Sequence, residues 1–295
     1  MKIISQHCHQ HYRPGAYIRY YLLRFFFTLL SILDILSTTL STNNTMHAQS
    51  IFIAALAGFA AAAPLESRQL FGGTGSSSSE FSRGGCRDIL FAFARGSTEI
   101  GNMGTVVGPP TSDGLKKEFG QDAVATEGIP YAASIGTNVL PGGTDTRSKN
   151  LLKDTLNSMA QKCPDSVIVS SGYSQGAAVN HRAIEELDAA VMDQIAGVVT
   201  YGDTQKLQDR DQIPNFPKEK VKIICQPGDA VCLGTLSVLP AHLTYGVRAN
   251  EGVEFLVQQI KGAQAKIKAR NAKREAKAAA AVEDAVKRVA QEMAV

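Results

Sequence analysis

Cysteine is scarce in this chain, and the cysteine spacing that marks most metal sites is missing. No C-x-x-C pair and no Cys/His cluster occurs in residues 46–260, although structural metal sites are usually built from such clusters. We therefore expect no metal site, and the chemistry predicted below needs no organic cofactor. Five cysteines are present in 295 residues, and if Cys8 is removed with a leader, an even number remains. Two disulfides in a secreted protein would use Cys86, Cys163, Cys225 and Cys232.

These four cysteines can pair in three ways. Only six residues separate Cys225 from Cys232, which favours a local bridge between them and leaves Cys86 to pair with Cys163. Metal binding is the competing interpretation of the same residues.

An excess of positive charge is also missing from the central part of the chain. The formal net charge is +3. Residues 1–45 hold four Lys/Arg and one Asp, and residues 261–295 hold nine Lys/Arg and four Asp/Glu, so residues 46–260 carry −5. An acidic body argues against a nucleic acid partner. The composition, 44% hydrophobic and 19% charged, is that of a globular protein with a substantial core.

No uninterrupted apolar run near the N-terminus is long enough to span a membrane. Residues 17–36 are apolar and aromatic but include charged residues, so we expect no stable membrane insertion. A second apolar segment follows Met46 and ends in small residues, which is typical of a secretory signal, although Lys and Arg are absent from its start. We predict that residues 1–45 are a mis-annotated upstream leader and that residues 46–63 are a signal peptide. N-terminal sequencing of the precursor tests this, and a precursor that begins at Met1 would contradict it.

Glycine and serine dominate residues 64–82, which predicts a flexible pro-segment or linker. The folded domain is expected over residues 83–260. Segments with helical spacing alternate there with short apolar runs, and this alternation predicts a parallel sheet with helices on both faces. The predicted strands are residues 89–94, 123–128, 167–171, 196–201 and 221–225.

The G-x-S-x-G pattern at residues 172–176 stands between a predicted strand and a predicted helix. Strand, sharp turn and helix is the setting in which this pattern forms a nucleophile elbow. The glycines allow a turn that is too tight for a Cβ on either side of Ser174. The following helix N-terminus favours negative charge that develops at the serine.

A nucleophilic serine needs a base, and the base needs a carboxylate that orients it. In α/β hydrolases both residues follow the serine along the chain, first the acid and then the histidine. His242 lies in a loop after the last predicted strand and is the better base, because His181 falls inside the helix below the elbow. Asp229 ends the fifth strand region between two cysteines and is the predicted acid. Asp203 is the rival acid, and a turn residue is the alternative interpretation of Asp229.

Three motifs in one order resemble the fungal cutinase family: residues 86–99, the pattern at 172–176, and residues 225–232 followed by 242–246. The resemblance covers about residues 86–260. It implies a three-layer, lidless α/β hydrolase with a central five-stranded parallel sheet. It also implies a catalytic triad of Ser174, Asp229 and His242 and the disulfides Cys86–Cys163 and Cys225–Cys232.

The same resemblance implies an oxyanion hole made by the backbone amide of Gln175 and by the amide and hydroxyl of Ser97, with Asn138 supporting Ser97. A residue after the nucleophile presents its N–H at the helix start, so the physics agrees. By resemblance, four apolar residues form a rim that accepts an acyl chain, although ordinary loop packing is the alternative. They are Ile135, Leu140, Val238 and Leu243.

The family normally ends soon after the last helix, so residues beyond about Ala269 are unexplained by the resemblance. Residues 261–295 are rich in Ala, Lys, Arg and Glu, with no Pro and no Gly after Gly262. This predicts a solvated helical extension. A binding element is the alternative, since a net charge of +5 attracts acidic surfaces.

The predicted function is that of a secreted, extracellular, monomeric serine esterase that acts on insoluble cutin-type polyesters or short-chain acyl esters. An acetylxylan esterase of the same fold is the nearest alternative. A non-catalytic secreted protein that binds a surface or triggers a host response is an alternative of another class, against which the complete triad counts.

Overall fold

The computed structural model describes residues 73–292. The predicted upstream leader, the predicted signal peptide and residues 64–72 of the predicted flexible segment lie outside these residues.

Five parallel strands form one sheet in the order β2-β1-β3-β4-β5. The four strands from β1 to β4 are buried along their whole length, which explains the continuous apolar sequence of β1 and the largely apolar sequence of β4. All five coincide with the predicted strands to within two residues. They are β1 (Ile89–Ala94), β2 (Val124–Gly128), β3 (Val167–Tyr173), β4 (Ile195–Tyr201) and β5 (Val221–Ile224).

Helices cover both faces of the sheet, so the three-layer α/β architecture is confirmed. Leu152, Leu156 and Val179 belong to the core on one face, and Leu115 and Leu256 belong to the core on the other. The α-helices are α1 (Glu80–Gly84), α2 (Gly108–Phe119), α3 (Thr146–Lys162), α4 (Gln175–Ile184), α5 (Ala189–Gln194) and α6 (Ala249–Glu292). Short 3-10 helices include Ile135–Val139, Ala230–Leu233 and Pro240–Leu243.

Two disulfides tie the connections to the sheet. Cys86, just before β1, bonds to Cys163 at the end of α3, and Cys225, just after β5, bonds to Cys232. The first closes a separation of 77 residues, a loop for which the chain-entropy model gives about 4 kcal/mol of stabilisation. The second closes a separation of only seven residues and restrains a single loop.

The prediction of a flexible segment is wrong for residues 73–82. Strand β2 is an edge strand, and Ser79 forms an antiparallel bridge with Glu127 on it. The Ser78 hydroxyl donates to the Thr126 carbonyl at 2.9 Å, and Glu80 Oε2 accepts from the Thr126 N–H at 2.9 Å. Serines suit a linker by composition, but here they satisfy polar groups that the edge of a sheet would otherwise leave unpaired.

Helix α6 runs without a break through the predicted domain boundary at residue 260. Ala263 and Ile267, beyond that boundary, still pack against the core. Within residues 73–292, no helix combines the length and the apolar character needed to cross a bilayer.

Candidate active site

Ser174 stands at a strained turn between β3 and α4. Its backbone has φ 56° and ψ −118°, a region that costs a non-glycine residue about 1–3 kcal/mol and that is often found at functional sites. A Cβ on Gly172 would lie 2.2 Å from the Gly176 carbonyl oxygen, and a Cβ on Gly176 would lie 1.9 Å from that of Ala94. Both glycines are therefore required for the helix to leave the strand so sharply.

The imidazole of His242 bridges Ser174 and Asp229. Its Nε2 lies 2.9 Å from Ser174 Oγ, and its Nδ1 lies 2.8 Å from Asp229 Oδ2. With the proton on Nδ1, facing the carboxylate, Nε2 can accept the serine proton. The ring stacks on Tyr173, with centroids 5.3 Å apart, and the Tyr173 hydroxyl donates to the His242 carbonyl at 2.6 Å. The imidazole is thus held by stacking on its face and by hydrogen bonds at its ring nitrogens.

Asp229 is buried and fully hydrogen-bonded. Its Oδ1 accepts from the Val231 N–H at 3.0 Å, at the start of a 3-10 helix that the Cys225–Cys232 bridge closes. Its Oδ2 accepts from the Tyr245 hydroxyl at 2.6 Å as well as from His242. Burial and the bond to Asp229 raise the pKa of the Tyr245 hydroxyl above its ordinary value, so Tyr245 remains a donor.

Asp203 and His181, the alternative candidates for the acid and the base, belong to a separate buried cluster. His181 Nε2 lies 2.9 Å from Asp203, and its Nδ1 lies 2.6 Å from Asp209. Burial alone would lower the pKa of His181, but the two carboxylates outweigh it and raise the pKa to about 9. A charged imidazole with both nitrogens occupied cannot accept a proton from a serine. The structure therefore pairs Asp203 with His181 and Asp229 with His242.

Ser97, Asn138 and Gln175 meet beside Ser174. Asn138 Nδ2 donates to Ser97 Oγ at 2.9 Å. Because that bond uses a lone pair of the hydroxyl, the Ser97 proton is left for another acceptor. Gln175 Nε2 donates to Asn138 Oδ1 at 3.1 Å and to the Ser134 carbonyl at 2.8 Å. The side chain of Gln175 therefore holds the loop that carries Asn138, while its backbone N–H begins α4.

Three residues near this site were missed by the sequence interpretation. Tyr173 and Tyr245 contact the histidine and the aspartate, as described above, and Glu99 organises the Ser97 loop. Glu99 Oε2 accepts from the Gly96 N–H at 2.7 Å, and its Oε1 accepts from the Thr105 N–H at 2.9 Å. Glu99 lies inside the motif that carried the family resemblance, which was the available signal. Tyr173 and Tyr245 also lie inside such motifs, at residues 172–176 and 242–246, so the same signal was available for them.

Exposed apolar side chains flank the site on two segments, residues 135–140 and 236–243. Each of the four predicted rim residues is exposed, from 42% for Leu140 to 67% for Ile135. Such a concentration of exposed apolar surface is typical of a binding region. The sequence interpretation missed three further exposed residues on the same segments: Val139, Leu236 and Leu239.

No group of three or more His, Cys, Asp or Glu side chains in the described part of the chain is placed to hold a metal ion. The candidate site brings together a serine hydroxyl, an imidazole, a carboxylate and hydrogen-bond donors. This arrangement is one that can carry out acyl transfer through a serine.

Comparison with known proteins finds one family. The family model described as Cutinase matches residues 85–260. Probable cutinase 1 of Aspergillus niger is 47% identical over 190 residues, which cover 64% of this chain and 72% of that protein. Cutinase CUT2 of Pyricularia oryzae is 45% identical over 212 residues, covering 72% and 98%. A solved Trichoderma reesei cutinase, in complex with a C11Y4 phosphonate inhibitor, superposes with a TM-score of 0.57 at 29% identity, covering 79% of this chain and 98% of that one.

Proposed function

The chain belongs to the cutinase family of serine carboxylic ester hydrolases, and on that basis we propose that it hydrolyses cutin-type polyesters and short-chain acyl esters through a triad of Ser174, His242 and Asp229. The observation that carries this proposal is the pair of hydrogen bonds made by the His242 imidazole, 2.9 Å to Ser174 Oγ and 2.8 Å to Asp229 Oδ2.

In the first half of the reaction, His242 Nε2 takes the proton of Ser174 while Oγ attacks the ester carbonyl carbon. Asp229 keeps the Nδ1 proton in place and stabilises the imidazolium that forms. His242 then gives its proton to the departing alcohol oxygen, and an acyl-enzyme on Ser174 remains. Water, deprotonated by the same imidazole, releases the acid and restores the serine.

The negative charge that develops on the carbonyl oxygen is stabilised by the Gln175 backbone N–H together with the N–H and hydroxyl of Ser97. The bond from Asn138 to Ser97 Oγ, 2.9 Å, supports this role because it orients the hydroxyl proton away from Asn138. Fixed donors of this kind typically contribute a factor of about 10²–10³ each to turnover.

The substrate class is inferred from the rim. Ile135, Leu140, Val238 and Leu243 are exposed beside a half-buried Ser174, so an aliphatic chain can lie across them while its ester reaches the serine. Burial of methylene groups on such a surface contributes about 0.8 kcal/mol each. An acetyl group would leave most of that apolar surface unused, which favours acyl chains over acetylated xylan.

Secretion is part of the proposal. The two disulfides form and persist in oxidising compartments and are rare in the cytosol. The signal-like residues 46–63 point the same way.

The test is covalent labelling with an alkyl phosphonate or fluorophosphonate probe, followed by mass mapping of the labelled peptide. We expect one label on Ser174 and loss of p-nitrophenyl butyrate hydrolysis by several orders of magnitude in Ser174→Ala. Ser171→Ala is the matched control, because Ser171 lies on the same strand and its buried hydroxyl has no hydrogen-bond partner. Retained hydrolysis in Ser174→Ala, or a label elsewhere, would overturn the triad.

Substrate class is tested separately with wild-type protein. Faster release of acid from polycaprolactone or cutin than of acetate from acetylated xylan is the expected result. The reverse order would indicate an acetylxylan esterase, and the absence of any turnover or labelling would indicate a non-catalytic protein.

A further inference from the structure

Helix α6 carries a feature that the esterase reaction does not use. It begins at the carboxyl-terminal edge of the sheet, where the Tyr201 hydroxyl at the end of β4 donates to the Ala249 carbonyl at 3.2 Å. It then runs to the amino-terminal edge, where the strands begin. There Ile267 lines one groove together with Val167, the first residue of β3. With a rise of about 1.5 Å per residue, its 44 residues extend for about 66 Å and continue past that edge.

Positive charge is concentrated where α6 leaves the body. Residues 261–277 contain seven Lys/Arg and a single acidic residue, Glu275. Five of the seven lie on one face of an α-helix. Four of them follow the first, Lys266, by four, seven, eight and eleven residues, which is the spacing of one helical face. All five are exposed. We call this face the basic stripe: Lys266, Arg270, Lys273, Arg274 and Lys277.

The neighbours of the basic stripe leave most of its charge uncompensated. Arg270 pairs with Asp165 at 3.3 Å, and both side chains are more than half exposed. Lys220 lies close enough to Lys266 for their charges to interact: burial lowers the pKa of Lys220, Asp193 raises it, and Lys266 lowers it. The body of the protein is acidic, so the stripe is a local reversal of sign.

The helix beyond the body is not built to enter a membrane. A surface-binding amphipathic helix needs large apolar residues opposite its cationic face. Residues 268–292 contain no Leu, Ile, Met, Phe, Tyr or Trp, and Val282, Val286 and Val289 are their only large apolar residues. A partner is therefore attracted by charge alone.

We propose that the basic stripe binds a linear polyanion that carries regularly spaced carboxylates, of the kind found in acidic polysaccharides. The stripe presents five cations over about 16 Å, so neighbouring carboxylates along one extended chain can each meet a cation. Proteins with disulfides such as these two are rare in the cytosol and the nucleus, where nucleic acids are concentrated, which favours a polyanion of another kind. Binding of this type depends on release of counterions and weakens steeply with salt.

The position of the stripe determines what such binding would do. Lys266 is 17 residues from the start of α6, about 25 Å along the helix from the edge that carries the active site. A polyanion bound there leaves Ser174 open and facing away, so the protein is held to one polymer while it acts on another. Hydrolysis of a soluble ester should not change when the stripe is occupied or neutralised.

The experiment measures binding of the full chain to immobilised polygalacturonate, with neutral dextran as the uncharged polymer and duplex DNA as the competing polyanion. The test variant replaces Lys266, Lys273, Arg274 and Lys277 by Gln, which preserves helix propensity. The control variant replaces four exposed cations outside α6 by Gln, namely Arg83, Lys117, Arg147 and Arg210. Circular dichroism checks that the helix content is retained, and p-nitrophenyl butyrate hydrolysis checks the active site.

The expected result is salt-sensitive binding of wild type to polygalacturonate but not to dextran, reduced more than about tenfold in the stripe variant and retained in the control variant. The proposal is overturned if wild type does not bind at low ionic strength, or if both variants lose binding equally. It is also overturned if duplex DNA at equal charge and salt binds more tightly, or if the protein self-associates through α6 instead.

Discussion

Tyr245 and His242 share one oxygen atom of Asp229. The Tyr245 hydroxyl donates to Asp229 Oδ2 at 2.6 Å, and His242 Nδ1 lies 2.8 Å from the same atom. The Tyr245 hydroxyl in turn accepts from the Gln226 N–H at 2.8 Å. Tyr245 therefore links the Asp229 carboxylate to the backbone at Gln226 and helps to hold it against the imidazole.

Replacing Tyr245 by Phe should slow the reaction. Without the second donor, the Asp229 carboxylate is held less firmly against His242, so kcat is expected to fall about tenfold with little change in KM. Tyr201→Phe is the control, because it removes a buried hydroxyl that bonds to the Ala249 carbonyl instead. An unchanged kcat in Tyr245→Phe, or an equal loss in Tyr201→Phe, would show that the hydrogen bond from Tyr245 does not position the acid.

Adding a methyl group at Gly202 should displace the base. A Cβ there would lie 2.7 Å from His242 Cε1, and Gly202 has a φ of +53°. A shift of the imidazole by about 1 Å is expected to reduce kcat of Gly202→Ala by about 10²-fold. Gly85→Ala carries the same kind of backbone strain, with a φ of +78° and no atom within 4 Å of the added Cβ.

Comparing Gly202→Ala with Gly85→Ala separates the effect of displacing His242 from the effect of backbone strain. Both variants should lose similar stability in thermal unfolding, while only Gly202→Ala should lose activity. Equal activity in the two would show that the ring has room to adjust.

Two substitutions at Asn138 should show whether Ser97 needs a hydrogen-bond donor at this position or only some hydrogen-bond partner. Asn138→Leu removes the donor to Ser97 Oγ, and we expect kcat to fall about 10- to 100-fold with little change in KM. Asn138→Asp is nearly isosteric, but its carboxylate accepts the Ser97 proton and withdraws it from the oxyanion. Asp should therefore be the more damaging of the two, and an Asp variant as active as wild type would contradict the proposed role of Ser97.

The buried cluster around His181 should make stability depend on pH. Asp203 and Asp209 raise the pKa of His181 to about 9 in the folded protein, above its ordinary value of 6.5. Stabilisation from the charged imidazole is therefore complete below about pH 6.5 and is lost as pH rises through about 9. The upper bound is about 3 kcal/mol.

Urea unfolding of wild type and His181→Gln across pH 6–10, with the disulfides intact, measures this contribution. The difference in the free energy of unfolding between the two should shrink steadily over that interval. Parallel pH curves would show that His181 is not charged in the folded state.

Short segments of sequence determined much of this protein. The five strands follow from their own apolar runs, and the elbow follows from two glycines that must lie within five residues of each other. The order of serine, aspartate and histidine identified the candidate triad before any distance was known, because each candidate stands at the end of a predicted strand or in a loop that follows it.

Tertiary structure decided the features that depend on partners distant in the chain. Residues 73–82 read as a linker, yet they pair with the edge strand β2 more than 40 positions away. Tyr245 and Glu99 become important only through the atoms that they meet. The sequence also predicted that residues beyond 260 are helical, but only packing of α6 across the sheet determined that its cations emerge opposite Ser174. Backbone preference acts between neighbours, whereas hydrogen bonds to an unpaired edge or a buried carboxylate depend on how the whole chain folds.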